Sequence, residues 1–158
     1  MVLVEGEVGI GDGWWLILPE EHEGQLDEQD HLVFETSTRS VLPQTIACGP
    51  GSGTSPTELL EQLVADLRSD PELDLTDLGP ISGRGWTGHL FREVIDPGRA
   101  EFQLLGCLTA PDMVLNPAVR FIGVEHEEAA HRLITGAVHD PASRHGMNVL
   151  IRSHLGIA

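Results

Sequence analysis

The sequence predicts a single α+β domain in which a largely antiparallel sheet is flanked by two main helices. The stretch from Gly83 to Leu108 reads as two long strands joined by a tight turn at Asp96–Arg99, and a hairpin of this length requires a sheet around it. Shorter strands occur in pairs on either side of one well-marked helix, which is typical of this class. A chain of 158 residues suits one domain with its own core.

The first third of the chain predicts paired strands. Four strands are expected, over Val2–Ile10, Trp14–Leu18, His31–Thr38 and Val41–Cys48. Pro19 is expected to end the second strand, and the acidic stretch 20–30 to form a loop. Pro43 predicts an edge or bulged position for the fourth strand, because proline donates no hydrogen bond to a sheet.

Two helices are predicted, one on each side of the long hairpin. Ser55 and Glu58 form a capping box at the start of the first helix, and Asp70–Pro71 ends it. Its apolar stripe consists of Leu59, Leu60, Leu63, Val64 and Leu67. The second helix is expected from Glu125 to Val138, with glutamates in the first turn, where the helix dipole favours negative charge.

Further strands complete the predicted domain. One is expected around Leu73–Leu78, ending near Gly79–Pro80, and another in the second half of Met113–Val124, where Asn116–Pro117 interrupts the first half. We expect residues 1–140 to form the domain and residues 141–158 to form a C-terminal tail or short helix.

Alternation within the hairpin predicts its two faces. One face carries Trp86, Gly88, Leu90, Arg92 and Val94, and the other carries Thr87, His89, Phe91, Glu93 and Ile95. Cys48 and Cys107 fall inside predicted strands, where cysteine usually acts as a small buried hydrophobe.

The charge of the chain excludes some classes of partner. Nine basic residues, all arginine, stand against 25 acidic ones, giving a formal net charge of -16. Phosphate backbones and anionic lipid surfaces repel such a chain, so neither nucleic acid nor an anionic membrane surface is an expected partner. No apolar run reaches the roughly 18 residues of a membrane span, and no signal-peptide pattern is present. The expected location is therefore cytoplasmic.

The sequence carries no catalytic motif. The glycine-rich loop 49–55 lacks the lysine of a phosphate-binding loop. His126 and His131 resemble a zinc-protease motif, but they are five residues apart and therefore point to different sides of a helix. No nucleophile elbow or paired carboxylates are visible. We therefore expect a protein without enzymatic activity and without a cofactor.

The candidate binding residues are aromatic and lie on predicted strands. Aromatic residues make up only 4% of the chain, so large rings on strands are candidates for a binding surface or its floor. The candidates are Trp14, Trp15, Trp86 and Phe91, with His89 and Arg92 as polar neighbours. Trp14 and Trp15 are adjacent and are expected on opposite faces of one strand. A metal site built from His131, His139 and His145 is an alternative.

The order of motifs resembles the PsbP-like superfamily, specifically its DcrB-type and LpqN-type branches. The resemblance rests on the opening strand Gly13–Pro19, the helix start Thr54–Leu60, the hairpin Gly83–Leu108 and the late-helix segment Ala129–Ile134. It implies an α/β/α sandwich that serves as a binding module. Members include photosystem subunits, a nuclear-transport factor, lipoproteins and cytoplasmic adaptors that hold hydrophobic segments of secreted effectors. No functional residue carries over.

Together these observations predict a non-enzymatic protein-binding module, such as a cytoplasmic adaptor or chaperone-like protein of a secretion system. Its partner is expected to be another protein that is basic or carries a hydrophobic segment. An immunity-type protein, an assembly subunit and a metal-binding protein that uses the C-terminal histidines are the alternatives.

Overall fold

The computed structural model describes residues 2–11, 13–47, 55–111 and 113–140. The strands are β1 (Val2–Gly11), β2 (Trp14–Leu26), β3 (Leu32–Glu35), β4 (Arg39–Ala47), β5 (Leu75–Gly83), β6 (Trp86–Asp96), β7 (Glu101–Ala110), β8 (Met113–Ile122) and β9 (Val138–His139), and the helices are α1 (Pro56–Ser69) and α2 (Glu127–Thr135). The predicted tail 141–158, the glycine-rich loop up to residue 54, and Cys48 lie outside the described residues. Neither described helix is long and apolar enough to cross a membrane.

The strands form one sheet in the order β1-β2-β3-β4-β8-β7-β6-β5, with β9 beside β2. Every pair of neighbouring strands in this order is antiparallel. The β4–β8 pairing joins the N-terminal hairpins to the long hairpin of β6 and β7. The prediction of a largely antiparallel sheet with two helices is confirmed.

Three predictions about proline positions meet different outcomes. β2 does not end at Pro19 but continues to Leu26, because the β1–β2 register shifts beside this proline and no described strand pairs on its other side. The prediction that Pro43 makes β4 an edge or bulged strand is wrong, because β4 lies between β3 and β8 and pairs with β8 through Pro43 without a register shift. Proline is tolerated there because β3 pairs with β4 only at Ser40 and Val41. Pro117 does not interrupt β8, which pairs with β4 through this residue.

The start of α1 agrees with the prediction, whereas the ends of α2 and the β6–β7 turn differ from it. The capping box is confirmed, with the Glu58 N–H donating to Ser55 Oγ at 3.2 Å. α2 begins later than predicted, at Glu127, after a 3₁₀ turn. It ends at Thr135, and Val138 belongs to β9. In the β6–β7 turn the left-handed residue is Ala100, with φ of 51°, rather than a glycine.

Strands β5 and β6 form a bulged hairpin, and β5 extends past its predicted end near Gly79–Pro80. β5 runs from Leu75 to Gly83, passing Gly79–Pro80 through a register shift. The alternation predicted for β6 is confirmed, because Trp86 and Leu90 belong to the main core while Phe91 is buried outside that cluster.

The two helices contact different faces of the sheet. Arg92 of β6 forms an ion pair with Glu127 of α2, whereas His89 lies on the opposite face and approaches Arg68 of α1. The face under α2 holds the main core, which includes Leu133 and Ile134 of that helix. Of the predicted α1 stripe only Val64 is buried, and its other members are half-buried.

The segment Ala137–Asp140 links distant parts of the sheet. β9 pairs with Trp14 and Trp15 of β2, and the Asp140 N–H donates to the Gly13 carbonyl at 2.9 Å. On its other side, the His139 N–H donates to the Arg84 carbonyl at 3.0 Å, in the β5–β6 turn. β9 therefore fastens the long hairpin to β2, and this arrangement positions the candidate site.

Candidate functional site

Three of the six predicted binding residues lie in the interior. Trp14, Trp86 and Phe91 have exposed fractions of 1%, 4% and 1%, so these rings are not accessible to a partner as contact residues. The physical reason is that a chain with few aromatic side chains uses the largest of them to fill its core. Trp15, His89 and Arg92 keep exposed surface.

Trp86 connects the long hairpin with the segment that follows α2. Its indole N–H donates to the Ala137 carbonyl at 2.7 Å in a buried environment. The backbone of Gly83 lies so close to the ring that an added Cβ would stand 2.4 Å from it. Gly83 therefore lets the backbone approach the ring, and this tryptophan has a structural role.

Trp15 lies in a groove along β2, here called the β2 groove. One cavity of about 260 Å³ is lined by Glu7, Trp15, Ile17, Arg84, Val138 and Asp140. A second, mostly apolar cavity of about 240 Å³ is lined by Ile17, Pro19, Ala129, Arg132, Leu133 and Gly136. Ile17 belongs to both cavities and is 43% exposed. The β2 groove thus runs between the outward side chains of β2 and the end of α2.

The backbone of β2 beside this groove has an open edge. β9 pairs with β2 at Trp14 and Trp15, and β3 pairs with β2 at Glu23–Leu26. Between these two strands, Leu16–His22 has no second neighbouring strand in the described part of the chain. Peptide groups on such an edge are able to pair with an added strand.

The same face of β2 changes from apolar to acidic along its length. Trp15, Ile17 and Pro19 are followed at alternate positions by Glu21 and Glu23. These glutamates line an adjoining cavity of about 500 Å³ together with Leu3, Glu20, Glu35, Thr36 and Ser37. The surface therefore offers apolar contacts at one end and negative charge at the other.

His89 belongs to a polar cluster that joins α1 to β5 and β6. Asp77 Oδ1 lies 2.6 Å from His89 Nε2, and Asp77 Oδ2 accepts from Arg68 Nε at 2.9 Å. The hydrogen bond from His89, followed by that from Arg68, lowers the pKa of Asp77 from 3.8 to about 2. The cluster thus holds a carboxylate in its charged form against the helix.

The residue opposite His89 on β7 is Cys107. A carboxylate, an imidazole and a thiol in this order resemble the arrangement of a nucleophilic site. However, Cys107 is 3% exposed, and burial raises the pKa of its thiol to about 11. The thiol therefore stays protonated near neutral pH, and Cys107 is a core residue as the sequence predicted.

The Asp77 cluster predicts an acid-dependent loss of stability. Because the pKa of Asp77 is lowered by folding, its contribution is present above pH 3.8 and is lost as the pH falls toward about 2. The carboxylate is 38% exposed, so we expect a contribution below about 1 kcal/mol. Urea unfolding of wild type and Asp77→Asn between these pH values should show the difference shrinking on acidification. The exposed Asp66→Asn is the control, and a difference independent of pH would contradict the prediction.

Of the three histidines proposed for a metal site, His131 and His139 belong to no metal-binding group in the described part of the chain. His131 is exposed on α2, His139 packs against Trp14 with ring centroids 4.7 Å apart, and His145 lies outside the described residues. Within residues 2–140, where described, no three histidine, cysteine or acidic side chains form a group able to hold a metal ion.

Sequence reasoning missed most of the β2 groove. Ile17, Pro19, Arg84 and Leu133 were not candidates. The sequence pattern that indicates the groove is the alternation that continues beyond Pro19, because Glu21 and Glu23 occupy every second position after Ile17 and Pro19.

Comparison with protein-family models finds no match to this sequence, and comparison with curated proteins finds none either. Among solved structures, a crystal structure from Bacteroides thetaiotaomicron VPI-5482 is similar, with a TM-score of 0.56 and 13% identity over 87% of this chain. The match covers 49% of that protein, so this chain spans about half its length. The solution structure of cyanobacterial PsbP (CyanoP) from Synechocystis sp. PCC 6803 gives a TM-score of 0.51 and 8% identity, covering 87% of this chain and 94% of that one. At these identities the likeness shows a PsbP-like fold alone.

Proposed function

We propose that the chain is a non-enzymatic protein-binding module that takes an extended peptide segment along β2. The observation that carries the proposal is the open edge at Leu16–His22, which lies beside the apolar part of the β2 groove. A peptide strand added there gains main-chain hydrogen bonds, and its alternate side chains enter the cavities.

The size of the cavities favours side chains over a small-molecule ligand. The two cavities of the β2 groove measure about 260 and 240 Å³, below the ~300–1,000 Å³ of ligand pockets. Each is open along the strand and accommodates one or two side chains of an extended peptide. Trp15 supplies a large, rigid contact at one end, which is typical of interaction hot spots.

The distribution of charge specifies the partner further. The net charge of -16 attracts a basic partner at long range. Glu21 and Glu23 continue the face that carries Trp15 and Ile17. The segment that fits this surface therefore has alternating apolar residues followed, at one end, by arginine or lysine.

We further propose that the chain is a PsbP-like α/β/α sandwich of DcrB type or LpqN type. The contacts of α1 and α2 with opposite faces of the sheet support the sandwich, and the order of motifs resembles these branches. By that resemblance the module is a cytoplasmic adaptor or chaperone-like protein that holds a hydrophobic segment of a secreted protein. An apolar groove beside an open strand edge suits this task.

Assembly through the outer edges of the sheet has less support. β1 and β5 are the outer strands, and each has a register shift against its neighbour. β5 also contains Pro80, and β1 carries Glu5 and Glu7. Bulges, proline and charge oppose the pairing of two such edges. The open edge of β2 also contains Pro19 and Glu20, and it is the adjoining apolar cavity that favours a peptide there.

The proposal is tested by selecting random nine-residue peptides on the full chain and measuring their affinities for two variants. Ile17→Asp places a charge in the β2 groove and should weaken binding by about tenfold or more. Leu78→Asp is the matched control, because Leu78 is 40% exposed against 43% for Ile17 but lies on β5. Its affinity should stay within about twofold of wild type.

The sequences of the selected peptides give a second readout. We expect alternating apolar residues with a basic end, and added salt should weaken binding. Amide exchange should slow at Leu16–His22 when the peptide binds. Failure to select any peptide, or equal effects of both substitutions, would refute the proposed function.

A further inference from the structure

A row of three polar residues crosses the core face of the sheet where β2, β3 and β4 meet. The β2–β3 pairing includes Glu23 opposite Glu35, and the Thr36 N–H donates to the Arg39 carbonyl at 2.8 Å. One step beyond Glu23 and Glu35, the register places His22 beside Thr36, and Thr36 is beside Arg39. Thr36, the shortest of the three, is in the middle, and the charge of Arg39 acts on the His22 ring, so the two longer side chains are neighbours on this face.

His22 and Arg39 are buried, and each has a polar atom without a protein partner. Their exposed fractions are 1% and 6%. His22 Nε2 and Arg39 Nε are both shielded from solvent and have no hydrogen-bond partner among the protein atoms. Buried polar atoms without a partner cost free energy, so native proteins usually satisfy them.

Glu20 contacts both of these side chains. Its backbone carbonyl lies 2.7 Å from His22 Nδ1, and its carboxylate accepts from Arg39 Nη2. A carbonyl oxygen only accepts, so Nδ1 carries the proton and Nε2 of the neutral ring is an acceptor. Arg39 Nε–H is a donor. The two orphaned atoms are therefore complementary to a molecule that both accepts and donates.

We propose that one buried water molecule bridges Arg39 Nε–H and His22 Nε2 above Thr36. The water accepts from the guanidinium and donates to the imidazole, which satisfies both atoms. An anion does not fit, because the lone pair of Nε2 would face it. A cation does not fit, because the guanidinium would repel it.

The protonation state of the ring agrees with this arrangement. Burial is the largest cause that lowers the pKa of His22, and the nearby charge of Arg39 lowers it as well, while the hydrogen bond to the Glu20 carbonyl and the charge of Glu20 raise it. The lowered pKa keeps the ring neutral near pH 7, which leaves Nε2 free to accept.

Nuclear magnetic resonance of the full, nitrogen-15-labelled chain at pH 7 tests the proposal. Imidazole nitrogen shifts of His22 should identify the tautomer with the proton on Nδ1. Cross-relaxation from the His22 ring protons to water should have the sign of a long-lived, bound molecule. A proton on Nε2, or no long-lived water at this ring, would overturn the proposal without the need for any variant.

Two variants then test whether Arg39 Nε–H donates a hydrogen bond to this water. Arg39→Met keeps the length of the side chain but removes Nε–H, so the long-lived water signal at His22 should be lost. Arg68→Met, on α1, is the matched control and should leave that signal unchanged. Retention of the signal in Arg39→Met would overturn the bridge.

Discussion

Replacement of Trp86 by alanine is expected to lower the free energy of unfolding by about 3–5 kcal/mol, as for other buried tryptophans. The ring is 4% exposed and packs in the main core between the long hairpin and α2. The substitution creates a cavity and removes the buried hydrogen bond to Ala137. Urea unfolding, followed by far-ultraviolet circular dichroism, measures the change.

A milder substitution separates the hydrogen bond from the packing. Trp86→Phe keeps an aromatic ring but leaves the Ala137 carbonyl without its donor, which should cost about 1–3 kcal/mol. Trp15→Phe is the control, because Trp15 is half-buried at the β2 groove, and it should cost less than Trp86→Phe. Equal costs for the two phenylalanine variants would show that the bond to Ala137 does not fasten the segment after α2.

The parts of the fold that depend on residues close together in the sequence were predictable from it. The capping box at Ser55 and Glu58 is a local motif, and the long hairpin has both alternation and a turn around Pro97. The structure agrees with both predictions because the interactions that form the capping box and the turn lie within a few residues of each other along the chain. The extension of β2 past Pro19 was not predictable in this way, since proline is tolerated there only because of the pairing around it.

The burial of Trp14, Trp86 and Phe91 was not predictable for a related reason. Alternation correctly separates Trp14 from Trp15, but it does not say which face of a strand another element covers. β6 is covered on both faces, so Trp86 and Phe91 are both buried although they point in opposite directions. The β2 groove depends on where α2 and β9 pack, which is set by contacts more than 100 residues away along the chain.

The attachment of β9 predicts a large effect at Gly85. This glycine has φ of +86°, and an added Cβ would stand 2.2 Å from the His139 carbonyl oxygen. Gly85→Ala therefore combines an unfavourable backbone conformation with a clash against β9. We expect a loss of about 3 kcal/mol in the free energy of unfolding.

Gly79 offers a matched control for this substitution. Its φ is +89°, but an added Cβ would meet nothing within 4 Å. Gly79→Ala should therefore cost only the backbone term, about 1 kcal/mol. The difference between the two variants measures the contact of the β5–β6 turn with β9. Amide exchange should accelerate at His139 in Gly85→Ala alone, because its N–H bond to Arg84 is displaced. Equal losses in both variants, with His139 still protected, would mean that β9 does not fasten the hairpin to β2.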